Sequence, residues 1–231
     1  MNKQLFEMLN LWACPLGLHQ YEASDNFNPL IARVLQSIRV LDVQTEASTS
    51  FYASKDDLLH RIRIPEWQSW LEFLIDSIAK TARHANTGIW PETSEDLTVE
   101  IVGLWCQFSN LGVHHDVHSH GNCSWSGVYI VQVDPDAQRQ MHEVYKECNG
   151  VTRFYGPHFQ NLAGAAIDYG NAYLQSAHLD ISPYEGRLAV FPSWLLHQAM
   201  PYQGLKDRII LSFNASIHRK GGDRWADYAQ S

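Results

Sequence analysis

The sequence predicts a mainly β fold with helices packed outside it: a barrel or sandwich carrying an N-terminal helical layer. Three observations carry that expectation. Before about residue 97, apolar residues recur at helical spacing. After it, the texture changes to short runs rich in Val, Ile, Trp and Phe. The last of those runs alternates polar and apolar side chains, so one of its faces meets a core and the other meets water or a lined cavity.

The helical elements come first. Asn28-Pro29 offers an N-cap followed by a first-position proline, with Leu30, Ile31, Val34, Leu35 and Ile38 in helical register behind it. Ser54, with Asp57 three residues later, reads as a capping box ahead of Leu58 and Leu59. Pro65 opens a longer helix with Trp67, Trp70, Leu71, Leu74, Ile75 and Ile78 along one face. Aromatics in such a stripe are read as core.

Strand-like runs follow at Leu97 to Phe108, Ser126 to Val133, Arg187 to Phe191 and Asp207 to Ile217. Pro135 to Cys148 reads as a short helix or an inserted loop, and Pro192 and Pro201 punctuate the connection around His197. In the last run, Ile209, Leu211, Phe213, Ala215 and Ile217 share one face. Arg208, Ser212, Asn214 and Ser216 share the other, with Ile210 interrupting them. A single domain over residues 1–231 is expected: helical support to 96, the β core over 97–218, and a tail over 219–231.

Composition narrows the function. The chain has 231 residues, 17 Lys plus Arg and 25 Asp plus Glu, for a net charge of −8. That length suits one full core. The acidic balance leaves no basic face for nucleic acid, and no apolar run is long enough to span a membrane. Cys14, Cys106, Cys123 and Cys148 lie too far apart for a zinc ribbon or a disulfide framework, and residues 1–7 lack the pattern of a signal peptide. A cytoplasmic protein is the expectation.

Histidine is the departure from the ordinary. There are 12, against six lysines, and four of them, His114, His115, His118 and His120, fall within seven positions. On an extended strand, residues i and i+2 point the same way, so His114/Asp116, Asp116/His118 or His118/His120 could each grip one metal ion. His197 adds a distal candidate, and eleven positions on stands Arg208. Its guanidinium, on the polar face of an apolar strand, needs an anionic partner, and the fork matches a carboxylate bidentately.

Taken together, His118-x-His120, Ser126-Gly127-Val128-Tyr129, Glu185-Gly186, Phe191-Pro192-Ser193, His197 and Arg208…Ser212-Phe213-Asn214 resemble the Fe(II)- and 2-oxoglutarate-dependent oxygenases, in particular a bacterial and phage branch. The order and spacing agree from about residue 105 to 214. The resemblance implies a double-stranded β-helix of jelly-roll or cupin-like form with iron inside one mouth. It implies His118 as first ligand, His197 as distal ligand, and 2-oxoglutarate chelating the iron with its far carboxylate on Arg208. It further implies that O2 is consumed, succinate and CO2 are released, and a substrate C–H is hydroxylated; desaturation would share the same first steps.

Two positions depart from the pattern. Where the superfamily carries an acidic second ligand, this sequence has His120. Three histidines, Asp116 serving from the other side of His118, or a shifted His114-x-Asp116 pair are the possibilities. The resemblance favours three histidines, since the branch pattern places H-x-H eight residues before the Ser-Gly pair, as His118 stands before Ser126. Where the pattern has a serine two residues after the arginine, the sequence has Ile210. Ser212, Asn214 or Tyr129 is expected to help Arg208 hold the cosubstrate carboxylate, although Tyr129 and Trp125 also read as packing.

Two other classes remain open: a cupin-like three-histidine dioxygenase without 2-oxoglutarate, and a non-catalytic metal-binding barrel. For the substrate, residues 134–182 hold Arg153, Tyr155, His158, Asp168, Tyr169 and Tyr173. That composition suits a pocket for a small polar molecule, an amino acid or a natural-product intermediate.

Overall fold

Strand β9, Arg208–Arg219, is the spine around which the computed structural model is built, and residues 14–43, 50–90, 97–156 and 178–219 are described. One edge of β9 pairs with β3, Leu97–Ser109, and the other with β4, Trp125–Gln132. Beyond β4 lie β7, Arg187–Pro192, and β1, Gly17–Gln20; beyond β3 lies β2, Phe51–Ala53. The result is a six-stranded antiparallel sheet in the order β1-β7-β4-β9-β3-β2. A smaller sheet has the order β6-β5-β8, from His178–Ile181, Thr152–Tyr155 and His197–Ala199. Bridges His118↔His197 and Val113↔Tyr202 lay the 113–118 segment along β8.

The two faces of the large sheet are chemically different because the strands alternate. Ile209, Leu211, Phe213 and Ala215 of β9, with Leu104, Cys106 and Phe108 of β3, face the helices. Against them pack α1, Ser24–Asp42, and α3, Pro65–Ala85. Phe27, Trp67 and Trp70 stack at this interface, with ring centroids 4.8 Å apart for the tryptophans and 5.9 Å for Phe27 and Trp70. Removing a fully buried Trp such as Trp70 would forfeit about 3–5 kcal/mol. The opposite face of the sheet looks toward the small sheet, where Phe154, Phe191 and Leu195 form a separate apolar cluster.

Pro65 does start α3, and Trp67, Trp70, Leu74 and Ile78 are buried, while Ile75 is exposed. The start of α1 differs from the sequence expectation. The helix begins at Ser24, with Pro29 inside it, because Phe27 and Asn28 are both drawn into the core. Asn28 does not cap the helix: it accepts the Tyr129 hydroxyl at 2.7 Å. The expected capping box is likewise absent. Asp57 makes no side-chain cap to α2, Leu58–Arg61, and the Ser54 hydroxyl instead accepts the Cys106 amide at 3.0 Å, tying its loop to β3.

The segment expected to be helical also contributes β1 and β2 to the sheet. Residues 135–148 hold one short helix, α4, Asp136–Arg139, and a final 3-10 turn. Gly186, in the Glu185-Gly186 motif, sits at φ +85° before β7. An L side chain is strained there, and a Cβ would also press on Gln20 and Ser24.

Candidate metal and anion site

The 110–124 loop between β3 and β4 delivers two of the histidines, and β8 delivers the third. His118 and His197 exchange backbone hydrogen bonds, each amide donating to the other's carbonyl at 3.0 Å. They are thus cross-strand partners, with ring centroids 4.3 Å apart. His120, two residues on in the same extended stretch, anchors its amide on the Ser193 carbonyl at 2.8 Å and turns to the same side. Its Nε2 lies 3.3 Å from Nε2 of His197, and the ligand atoms of all three fall within 4.8 Å of one another.

Two of the imidazoles are held in one tautomer. His118 Nδ1 donates to the Asp116 carbonyl at 2.7 Å, and His197 Nδ1 to the Leu195 carbonyl at 2.9 Å. Their Nε2 lone pairs are left free for a ligand. Burial, with His118, His120 and His115 alongside, pushes the His197 pKa down to about 4, and burial also lowers that of His120. Both are neutral at pH 7, the form that binds metal. An ion about 2.1 Å from each nitrogen sets neighbouring nitrogens roughly 3.0–3.4 Å apart. The His120–His197 pair meets that spacing, and the three histidines together could hold a metal ion. Phe191, its centroid 4.6 Å from the His197 ring, walls that ring on one side.

Asp116 is placed elsewhere. The backbone bends at Val117, which breaks the alternation that would have aligned Asp116 with His118. Its side chain is 99% exposed, and its carboxylate lies 3.8 Å from Nε2 of the half-exposed His114. What it offers the site is its carbonyl oxygen.

Arg208 enters the same cavity that the three histidines line. It is 3% exposed, and its Nε finds no hydrogen-bond acceptor among the described residues. Burial lowers its pKa to about 10, so it remains charged at neutral pH. A buried unpaired guanidinium is costly, and a bound carboxylate would offset that cost.

The other expected carboxylate binders separate. Ser212 lines the cavity. Asn214 instead accepts the Ser126 hydroxyl at 2.8 Å and is not part of the lining. Tyr129 does not meet the expectation. It lies on the helix-facing side of β4 with Trp125 and Val131, its hydroxyl bound to Asn28, and burial raises its pKa. Ile210 does line the cavity. So do His115, from the histidine cluster, and Trp105, Gln107 and Thr152, which the sequence did not single out. The signal for two of these was present, since Trp105 and Gln107 alternate along β3 with the core residues Leu104, Cys106 and Phe108.

Of the residues suggested for a substrate pocket, Arg153 is engaged with Asp180 at 2.7 Å and Tyr155 donates to Gln198 at 2.7 Å. His158, Asp168, Tyr169 and Tyr173 lie outside the described residues. Among the described residues, no helix is long and apolar enough to cross a membrane.

Comparison with known proteins agrees with this geometry. Residues 103–214 match a family model described as "Putative 2OG-Fe(II) oxygenase", a span that takes in all three histidines and Arg208. No curated protein matches the sequence. Among solved structures, the fold is similar to that of SnoK, a non-heme alpha ketoglutarate dependent carbocyclase from nogalamycin biosynthesis. The identity is 9% and the TM-score 0.55, over 94% of this chain and 87% of that one. It is also similar to a Pseudomonas putida prolyl-4-hydroxylase, with 13% identity and a TM-score of 0.50 over 90% and 94% of the two chains. A third is the epimerase SnoN in complex with Fe3+, alpha ketoglutarate and nogalamycin RO, with 11% identity and a TM-score of 0.51 over 93% and 85%. At such identities the structural likeness concerns the fold, a jelly-roll of antiparallel sheets. The family likeness rests on residues 103–214, which are similar to the "Putative 2OG-Fe(II) oxygenase" domain.

Proposed function

We propose that the protein is a 2-oxoglutarate-dependent hydroxylase of a small polar molecule, an amino acid or a natural-product intermediate, with His118, His120 and His197 holding iron(II) and Arg208 holding the far carboxylate of 2-oxoglutarate. The observation that carries this reading is the buried, unpaired Arg208 sharing one cavity with the histidine triad. A metal-binding barrel or a dioxygenase without 2-oxoglutarate would gain nothing from that guanidinium and would bear its desolvation cost.

When bound, iron(II) and 2-oxoglutarate supply the oxidising chemistry, with O2 consumed and succinate and CO2 released. The protein's own residues bind, orient and exclude water. The carbonyls of Asp116 and Leu195 fix the tautomers of His118 and His197, so that Nε2 faces the cavity. Phe191 and Phe154 flank His197 and keep its surroundings dry. Arg208 gives an incoming dianion one orientation. Among the described residues the cavity lining carries no carboxylate, and hydroxylation asks for no protein acid or base. The three histidines contribute no negative charge, which leaves the metal more cationic than a site with a carboxylate ligand would and strengthens its attraction for an anionic cosubstrate.

Turnover decides the matter. Iron-loaded protein should convert 2-oxoglutarate to succinate, faster in the presence of one member of an amino-acid and small-metabolite panel, and that compound should gain one oxygen atom by mass spectrometry. Product formation that proceeds without 2-oxoglutarate would contradict the reading.

A further inference from the structure

Arg208 cannot satisfy a carboxylate by itself. A guanidinium gripping it bidentately leaves further lone pairs on the two oxygens unfilled. In this chain the strand position two residues on from Arg208 is Ile210, which has nothing to donate.

The register of β3 against β9 shows what faces that position. Ser109 is opposite Arg208, and Gln107 is opposite Ile210. Residues opposite one another point to the same side of a sheet, so Gln107 shares a face with both Ile210 and Arg208. It is the diagonal neighbour of the arginine, a separation that long side chains span. Gln107 lines the same cavity as Arg208, and its amide makes no side-chain hydrogen bond to any described residue.

The other polar lining groups are less well placed. Ser212 lies four residues along β9 from Arg208, about 13 Å at strand rise, toward the histidine end. Thr152 belongs to β5 in the opposite sheet, and the backbone of His115 is tied to β8 through Ala199.

We propose that Gln107 is a second cosubstrate-binding residue, donating its side-chain N–H to the same carboxylate that Arg208 pairs with and standing in for the donor that Ile210 lacks. A neutral amide suits this role, because Arg208 already supplies the charge and a second buried cation would be repelled by it. The inference rests on the cosubstrate reading above. One hydrogen bond to a charged group corresponds to roughly a ten- to hundredfold change in affinity.

The experiment is calorimetric titration of manganese-loaded protein, without oxygen, with 2-oxoglutarate and with 2-oxobutyrate. The second ligand keeps the carboxylate and keto group that chelate metal but lacks the far carboxylate. Gln107→Leu should weaken 2-oxoglutarate by about ten- to hundredfold and leave 2-oxobutyrate unchanged. Gln107→Glu keeps the size of the side chain, so it covers the case in which the leucine variant fails to fold, and it should weaken 2-oxoglutarate at least as much. Unchanged 2-oxoglutarate affinity in both variants, or equal weakening of both ligands, overturns the proposal. Wild-type protein that binds no 2-oxoglutarate overturns the cosubstrate reading itself, a result distinguishable from failure of Gln107 alone.

Discussion

At the scale of single residues, Arg208 separates stability from function more sharply than any other side chain described. Its Nε is buried with no partner among the described residues, a cost in free energy that a bound anion would offset. Arg208→Met keeps the volume and removes the unpaired charge. The variant should unfold at the same temperature as the parent, or a few degrees higher, while 2-oxoglutarate affinity falls by more than a hundredfold. Thermal unfolding of both proteins, with and without 2-oxoglutarate, checks this. A large loss of stability in the ligand-free variant would mean that Arg208 has a structural partner after all. Tyr129 teaches the opposite lesson about single residues. Its strand carries apolar residues on both faces, Tyr129 and Val131 on one and Val128 and Ile130 on the other. Alternation therefore could not say which face meets the helices, and only packing against Phe27, Trp70 and Asn28 decides it.

At the scale of elements, the histidine spacing works because the chain from His118 to His120 is extended and paired to β8, and it fails one step earlier because of the bend at Val117. The i, i+2 rule was legible in the sequence; the bend was not, since neither Asp116 nor Val117 is a turn signal comparable to Gly121-Asn122. The structure therefore distinguishes two residues that the sequence left as alternatives. Asp116→Ala should leave metal affinity within about twofold of the parent, because only its backbone carbonyl touches the site. His120→Ala should lower metal affinity by at least a hundredfold. Equilibrium titration with manganese(II) measures both, and comparable losses in the two variants would contradict this assignment. The same scale explains the elements that were missed. β1, β2, β5, β6 and β8 have three or four residues each, too few for a period of two to stand out, and tertiary pairing fixes them. β3, β4, β7 and β9 were legible because they are longer and rich in β-branched and aromatic residues.

At the scale of the molecule, division of labour follows from the two faces of one sheet. The helix side carries the aromatic core, and the other side carries Arg208 and Gln107, which share one cavity with the histidines of β8 and the 110–124 loop. The polar face of β9 pointed to that cavity before any fold was known, whereas its depth and the alignment of Gln107 depend on register with β3, which no local pattern encodes. The central claim is that metal and 2-oxoglutarate bind together in this cavity, and anaerobic addition of iron(II) followed by 2-oxoglutarate tests it most directly. Simultaneous chelation should produce a metal-to-ligand charge-transfer band in the visible spectrum of the parent protein, lost in His197→Ala. Iron-loaded protein that shows no such band at saturating 2-oxoglutarate would contradict the account.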